Sequence, residues 1–157
     1  MFYTGTFQRV LDEKLRIAIP KRLRNTESAS NGVFYIAPGT DGSLFIYPEE
    51  AFARLSRRLA SAPPTQQDVR AFSRLFYAQA ELAELDRQGR LRVPPRLAEM
   101  ARLGKDVVML GVQDHFELWD RQRWETYREK QAEHYDTIAE AAFDHSQPAI
   151  EDLRKTE

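Results

Sequence analysis

The chain has 157 residues, 42% of them hydrophobic and 30% charged, which suits one domain or two small ones around a packed core. Cysteine is absent, which excludes disulfides, thiolate catalysis and cysteine-based zinc sites. The net charge of −1 is unevenly spread: residues 1–30 and 84–105 each carry six Lys/Arg against three Asp/Glu, residues 31–83 balance, and residues 106–157 carry six basic against thirteen acidic side chains.

The elements follow in chain order. The N-terminal MFYTGTFQRVL lacks the basic-then-apolar pattern of a signal peptide, and no apolar run has the length of a membrane span. The chain therefore reads as soluble and cytoplasmic. Val10-Leu11 and Leu15–Ile19 read as two short strands around a tight turn at Asp12–Lys14. Pro20 marks a change of element, because proline suits a helix start and cannot sit in a central strand. The run from Gly32 to Pro48 carries an Asp41-Gly42 hairpin signal between apolar stretches. A helix follows over Pro48–Ala60, with Glu49 and Glu50 in its first turn. Ser61–Pro64 is a break, and Thr65 is placed to cap a helix running to about Ala78. Val69, Phe72, Leu75 and Phe76 would form its apolar face.

The same order then returns. Asp86–Gly89 is a turn, favoured by Asp at its start and Gly at its end. Pro94 opens a helix expected to end on Gly104. Lys105–Asp120 reads as a hairpin around Gln113-Asp114, and a long helix should start after Asp120 and reach Phe143. The segment from His145 onward is polar and acidic and reads as a frayed tail.

The return is an internal repeat. An offset of 74 aligns Phe2-Tyr3 with Phe76-Tyr77, Leu11-Asp12 with Leu85-Asp86, Arg16 with Arg90, Pro20 with Pro94 and Arg22-Leu23 with Arg96-Leu97. After a two-residue slip, Leu44–Phe52 aligns with Phe116–Trp124 at offset 72. The organisation expected is a first unit over 1–60, a connecting helix over 61–78, a second unit with a C-terminal helix over 79–145, and a polar tail over 146–157.

Strand alternation points the repeat outward. Leu15, Ile17 and Ile19 share one face and Arg16 takes the other; Leu91 and Val93 share one face, and Arg90 and Arg92 the other. Lys14, Lys21, Arg22, Arg24, Arg87 and Arg96 lie close by in sequence. Arginine binds phosphate bidentately and reads guanine, and a two-stranded ribbon fits the major groove, so double-stranded DNA is the partner expected. Asp12 and Arg16, four residues apart across the turn, could also form an ion pair that shapes the loop.

The pattern Asp-x-x-Gly-Arg-x-x-x-Pro (Asp86, Gly89, Arg90, Pro94), repeated with Asp12, Arg16 and Pro20, resembles the MraZ family over residues 1 to about 130. MLGVQDHFELWDRQRW also resembles that family. The resemblance implies an α+β fold of two tandem, pseudo-symmetric AbrB-like units, each a swapped-hairpin β-barrel, with flanking helices. It implies a sequence-specific DNA-binding repressor of the division and cell wall gene cluster, acting at short direct repeats in a promoter as a ring-shaped homo-oligomer. The family's arginine motif carries over to Asp12 with Arg16 and to Asp86 with Arg90. The first copy departs from the pattern, with Leu15 where the second has Gly89. If that turn needs positive φ, leucine there costs about 1–2 kcal/mol.

Two other readings compete. For an enzyme the signals are poor. His115, His134 and His145 lack metal-ligand spacing, and no phosphate-cradling glycine loop or nucleophile elbow occurs. Glu49-Glu50 reads as a helix start, and Tyr47, Phe52, Trp119, Trp124 and Tyr127 as core or subunit interface. No cofactor, metal or small-molecule substrate is expected. The other reading is an AbrB-type, antitoxin-like interaction module that binds DNA only secondarily.

Overall fold

The structure is a computed structural model, and it describes residues 2–146. The part of the expected tail over 147–157 lies outside the described residues, while His145 and Ser146 close a helix. The chain divides after Arg121 into two compact units.

The first unit is α+β and antiparallel. Its strands are β1 (Thr6–Val10), β2 (Arg16–Ala18), β3 (Val33–Pro38), β4 (Leu44–Pro48), β5 (Glu81–Glu84), β6 (Arg90–Arg92), β7 (Asp106–Val112) and β8 (His115–Asp120). Six of them form one open sheet in the order β1-β7-β8-β4-β3-β5, and β2 and β6 pair as a separate ribbon, so the described strands close no barrel of the kind expected. Short helices α1 (Lys21–Arg24) and, later in the chain, α4 (Pro95–Met100) follow the ribbon strands. Between them come α2 (Glu49–Ser61) and α3 (Gln67–Gln79).

The sheet order is unchanged when β1 is exchanged with β5, β3 with β7 and β4 with β8, and the registers agree. Val10 faces Asp106 as Glu84 faces Val33. Phe45 faces Glu117, its own repeat partner, at the centre of the sheet. Ile17 faces Leu91, again its own partner, at the centre of the ribbon. A pseudo-twofold axis therefore runs through both layers. Strands are exchanged across it: β1 of the first half pairs with β7 of the second, and β5 of the second with β3 of the first.

Alternation gives the sheet two buried faces. On one, Phe34, Ile36, Leu44, Ile46, Phe116 and Leu118 join Ile17 and Leu91 beneath the ribbon. Phe116 anchors this core, with Tyr3 edge-on at 4.5 Å and Phe34 at 6.2 Å. On the other face, Ala37 and Tyr47 pack under α2 and α3 with Ala51 and Phe76. Phe52 stacks on Tyr35 at 4.2 Å and lies 6.0 Å from Phe76.

Several sequence expectations change. The first strand starts at Thr6 rather than Val10, because pairing with β7 extends it. Phe2-Tyr3 and Phe76-Tyr77 are not equivalent, since Tyr3 bridges to Gln113 whereas Phe76-Tyr77 lie in α3. The cap of α3 is Gln66, not Thr65, and its side chain makes no capping hydrogen bond. The expected apolar face of α3 is mostly uncovered: Phe76 is buried, but Phe72 is 49% and Leu75 65% exposed. α4 stops at Met100, and the residue with positive φ is Arg102 at 51°, not Gly104. The Gly104 amide instead donates to Asp120 Oδ1 at 3.1 Å.

In the second unit, the expected single helix is two, α5 (Arg121–Ala132) and α6 (Tyr135–Ser146). The chain tightens between them, where the His134 amide bonds to the Gln131 carbonyl at 3.0 Å. Trp124 and Tyr127 stack along α5 at 6.0 Å. Among the described residues no helix is long and apolar enough to cross a membrane.

Candidate nucleic-acid interface

Each ribbon strand is entered through an aspartate-led turn. The Leu15 amide donates to the Asp12 carbonyl at 2.9 Å, and the Gly89 amide to the Asp86 carbonyl at 3.0 Å. The closing residue of each turn is left-handed, with φ 60° at Leu15 and 74° at Gly89. This is a turn capped by one residue of positive φ, for which glycine is the cheapest choice. The two copies therefore share one shape, and leucine tolerates it in the first. A Cβ at position 89 would collide with the guanidinium of Arg24. By the offset of 74, Ala98 stands where Arg24 would be beside Leu15. Leu15 packs against the buried cluster that includes Ala98. The glycine-for-leucine exchange is thus matched by an arginine-for-alanine exchange on the neighbouring helix.

The aspartates do two jobs. Asp12 Oδ1 accepts the amides of Lys14 at 2.9 Å and Arg16 at 2.8 Å, while Oδ2 accepts Arg16 Nε at 2.7 Å. Asp86 repeats this, with Gln88 and Arg90 amides at 2.9 Å and Arg90 Nε at 2.8 Å. Each bond uses Nε, so the turn's own aspartate takes no hydrogen bond from the terminal nitrogens of the guanidinium. Arg90 Nη1 also lies 3.9 Å from Asp12 Oδ2, so one aspartate stands beside both arginines. The Arg16 side chain is 32% and the Arg90 side chain 27% exposed.

The amide of Arg16 is the main cause that holds the Asp12 carboxyl below the usual aspartate range, and the Arg16 side chain adds to it. Arg90 does the same for Asp86, again first through its amide. A lowered folded pKa means that these bonds stabilise the turns fully above the ordinary aspartate range. That contribution is lost as pH falls through the depressed folded value. We expect the carboxyl carbons of both residues, followed by NMR, to titrate below the ordinary value of about 3.9. Midpoints at or above it would show that the turns do not hold the carboxylates charged.

The ribbon orders the remaining cations. Arg16 faces Arg92 and Ala18 faces Arg90 in register, so Arg16, Arg90 and Arg92 share the outer face while Ile17 and Leu91 are buried beneath. Lys14 sits in the first turn. Pro20 and Pro94 cap α1 and α4 with near-identical backbone angles, φ −53° and −57°. Arg96 is exposed on α4. Arg22 turns from α1 onto the edge strand, donating to the Thr4 carbonyl at 3.3 Å and lying 5.6 Å from the Phe7 ring centre.

Arg9 was missed by the sequence reasoning. It lies on β1, yet its Nε donates to the Ala18 carbonyl of the ribbon at 3.2 Å and its Nη1 to the Gln8 carbonyl at 2.9 Å. The available signal was the repeat itself: Arg9 aligns with Ala83 and Ala18 with Arg92, two opposite exchanges of Arg and Ala.

The aromatic residues lie elsewhere. Tyr47 and Trp119 are buried, and burial, with Asp114 and Glu117 nearby, pushes the Tyr47 hydroxyl up to about 12. His115 lies against Tyr47 and Phe45 and bonds to Asp114 at 2.8 Å. Among the described residues no cluster of His, Asp and Glu could hold a metal ion.

The family model described as "MraZ protein, putative antitoxin-like" matches the chain twice, over residues 2–75 and 76–146. The chain is similar to a protein named Transcriptional regulator MraZ from Heliobacterium modesticaldum, 42% identical over 90% of this chain and 97% of that protein. Relatives of the same name come from Moorella thermoacetica, 40% identical over 90% and 97%, and Lactiplantibacillus plantarum, 41% identical over 92% and 99%. Two matches to one model, in register with the two turns, and relatives aligned nearly end to end lead to one conclusion: the chain belongs to the MraZ family.

Proposed function

We propose that the protein is a sequence-specific DNA-binding transcriptional regulator. It represses the division and cell wall gene cluster from short direct repeats in a promoter, and works as a ring-shaped homo-oligomer in the cytoplasm, at the nucleoid. The observation that carries this reading is the pseudo-twofold ribbon, with Arg16, Arg90 and Arg92 on one face and two buried aliphatic side chains beneath. Such a ribbon fits a major groove, where arginine bonds guanine O6 and N7 bidentately. Arg16, Arg90 and Lys14 lie over the groove, and Arg92, Arg22 and Arg96 contact the backbone. Asp12, Asp86, Gly89, Pro20 and Pro94 hold the shape.

The strand exchange supports a swapped-hairpin origin, with units over 1–60 and 79–145 and the helix over 61–78 between them. The relatives' name, Transcriptional regulator, supports the regulatory role. No chemistry in this reading calls for catalysis, a cofactor or a small-molecule substrate.

A second reading, an antitoxin-like interaction module with secondary DNA binding, is favoured by the uncovered Phe72 and Leu75 on α3. One experiment separates the two. Affinity for the duplex upstream of the protein's own gene is compared with random duplex over a range of salt. Specific binding that falls steeply with salt is expected, because each neutralised phosphate releases counterions. Equal, weak binding to both duplexes, unchanged in Arg16→Ala and Arg90→Ala, would overturn the regulator reading.

A further inference from the structure

The ribbon is symmetric in backbone and asymmetric in charge. On the second-half strand, Arg92 projects outward at the position equivalent to Ala18. The first half lacks that cation on β2 but carries Arg9 on the neighbouring strand, fixed to the carbonyl of Ala18 itself. We propose that Arg9 binds a phosphate of the DNA backbone, as the first-half counterpart of Arg92. The proposal rests on the DNA-binding reading of the ribbon.

Three features make Arg9 suited to an anion. Its guanidinium is held in place by two neutral carbonyls, those of Ala18 and Gln8. It also lies over the Phe7 ring, 5.7 Å from its centre, with Arg22 at 5.6 Å from the same ring. Finally, it forms no ion pair among the described residues, whereas Arg16 and Arg90 are each matched by an aspartate. No carboxylate therefore offsets the Arg9 cation, and little side-chain freedom remains for an incoming anion to remove. Nη2 takes part in neither carbonyl bond and is the donor for the phosphate.

Position selects phosphate over base. In a groove-bound ribbon the flanks run beside the two DNA backbones, whose phosphates take the contacts that fix register. The Ala18 carbonyl lies on a flank, since the ribbon's own bonds are made by the odd-numbered residues, as in Ile19 to Gly89 and Val93 to Leu15. The corresponding flank of the second half is an open groove of about 340 Å³ whose lining includes Ala83, Arg92, Glu81 and Glu84. Those two glutamates stand where the first half has Phe7 and Val10. That flank is acidic, and there the cation is Arg92 on the ribbon itself.

The test uses the full chain, with anisotropy titrations of its upstream duplex and a random duplex at several salt concentrations. Arg9→Ala is expected to weaken binding to both duplexes alike, by roughly three- to tenfold, and to lower the slope of log affinity against log salt by about one. The ratio of specific to random affinity stays the same. Arg9→Gln, which keeps an amide donor for the Ala18 carbonyl, should show the same loss of slope, so a folding defect in the alanine variant leaves the test intact. Adding Ala18→Arg to Arg9→Ala should restore the slope. A wild-type slope in both Arg9 variants overturns the proposal and leaves the regulator reading standing. A changed specificity ratio overturns it too, by making Arg9 a base reader. If the unmodified protein shows no specific, salt-dependent binding, the ribbon reading itself fails.

Discussion

Replacing Arg16 and Arg90 together by alanine is expected to remove sequence preference and to cost about 2–6 kcal/mol in affinity for the cognate duplex, since a bidentate arginine–guanine contact contributes about 1–3. The loss has two sources. The donors disappear, and the two aspartates keep their backbone amide bonds but lose the guanidinium that balanced their charge, which repels a polyanion. Lysine should not rescue either site. Arginine gives Nε to its aspartate and has terminal nitrogens besides, and an ammonium cannot divide its donors in that geometry. Competitive binding with specific and random duplexes measures the effect. A double variant within twofold of the wild type, with its preference intact, would remove the arginines from the recognition surface.

Leu91→Ala is expected to destabilise the fold by about 2–5 kcal/mol, the range for deleting a fully buried leucine side chain. Leu91 is 0% exposed and lies directly across from Ile17 on the pseudo-twofold axis. A void there removes contacts from both halves at once, so neighbouring elements cannot close it by shifting in one direction. Ile17→Ala should cost a similar amount, and the double variant less than the sum, because the two side chains share one space. Chemical denaturation of the three variants supplies the values. Losses below about 1 kcal/mol, less than an aliphatic truncation in a tight core, would mean that the ribbon is loosely seated.

The local elements of this fold were legible because short-range chemistry decides them. Asp41-Gly42 makes its hairpin with both residues at positive φ, 57° and 83°, as the dipeptide predicts. The Asp12–Arg16 ion pair and the facing of the ribbon arginines follow from the turn and from strand alternation. Long-range pairing was not legible. Nothing local in Thr6–Val10 says that it pairs with residues 106–110, so its sequence alone suggests a strand only at Val10-Leu11. The α3 stripe failed for the opposite reason: periodicity identifies an apolar face but not what covers it, and only Phe76 is buried. Arg9 carries no local signal, because its partner carbonyl is nine residues away on another strand. The left-handed Leu15 was anticipated as a cost of about 1–2 kcal/mol. What accompanies it, Ala98 as the counterpart of Arg24, becomes visible only when the two halves are compared through the repeat.

The crossing-over of β1 and β5 has a consequence for ancestry. A chain holding a single copy would expose a bare strand edge and a greasy ribbon underside, and its natural remedy would be a twin, docked as Ile17 meets Leu91. Fusing the twins turns a bimolecular encounter into a tethered one at roughly millimolar effective concentration. It also frees each copy from having to suit itself: Leu15 could replace glycine in one, and arginine could move between strands in the other. In the present polypeptide the two halves are matched in backbone and differ in side chains.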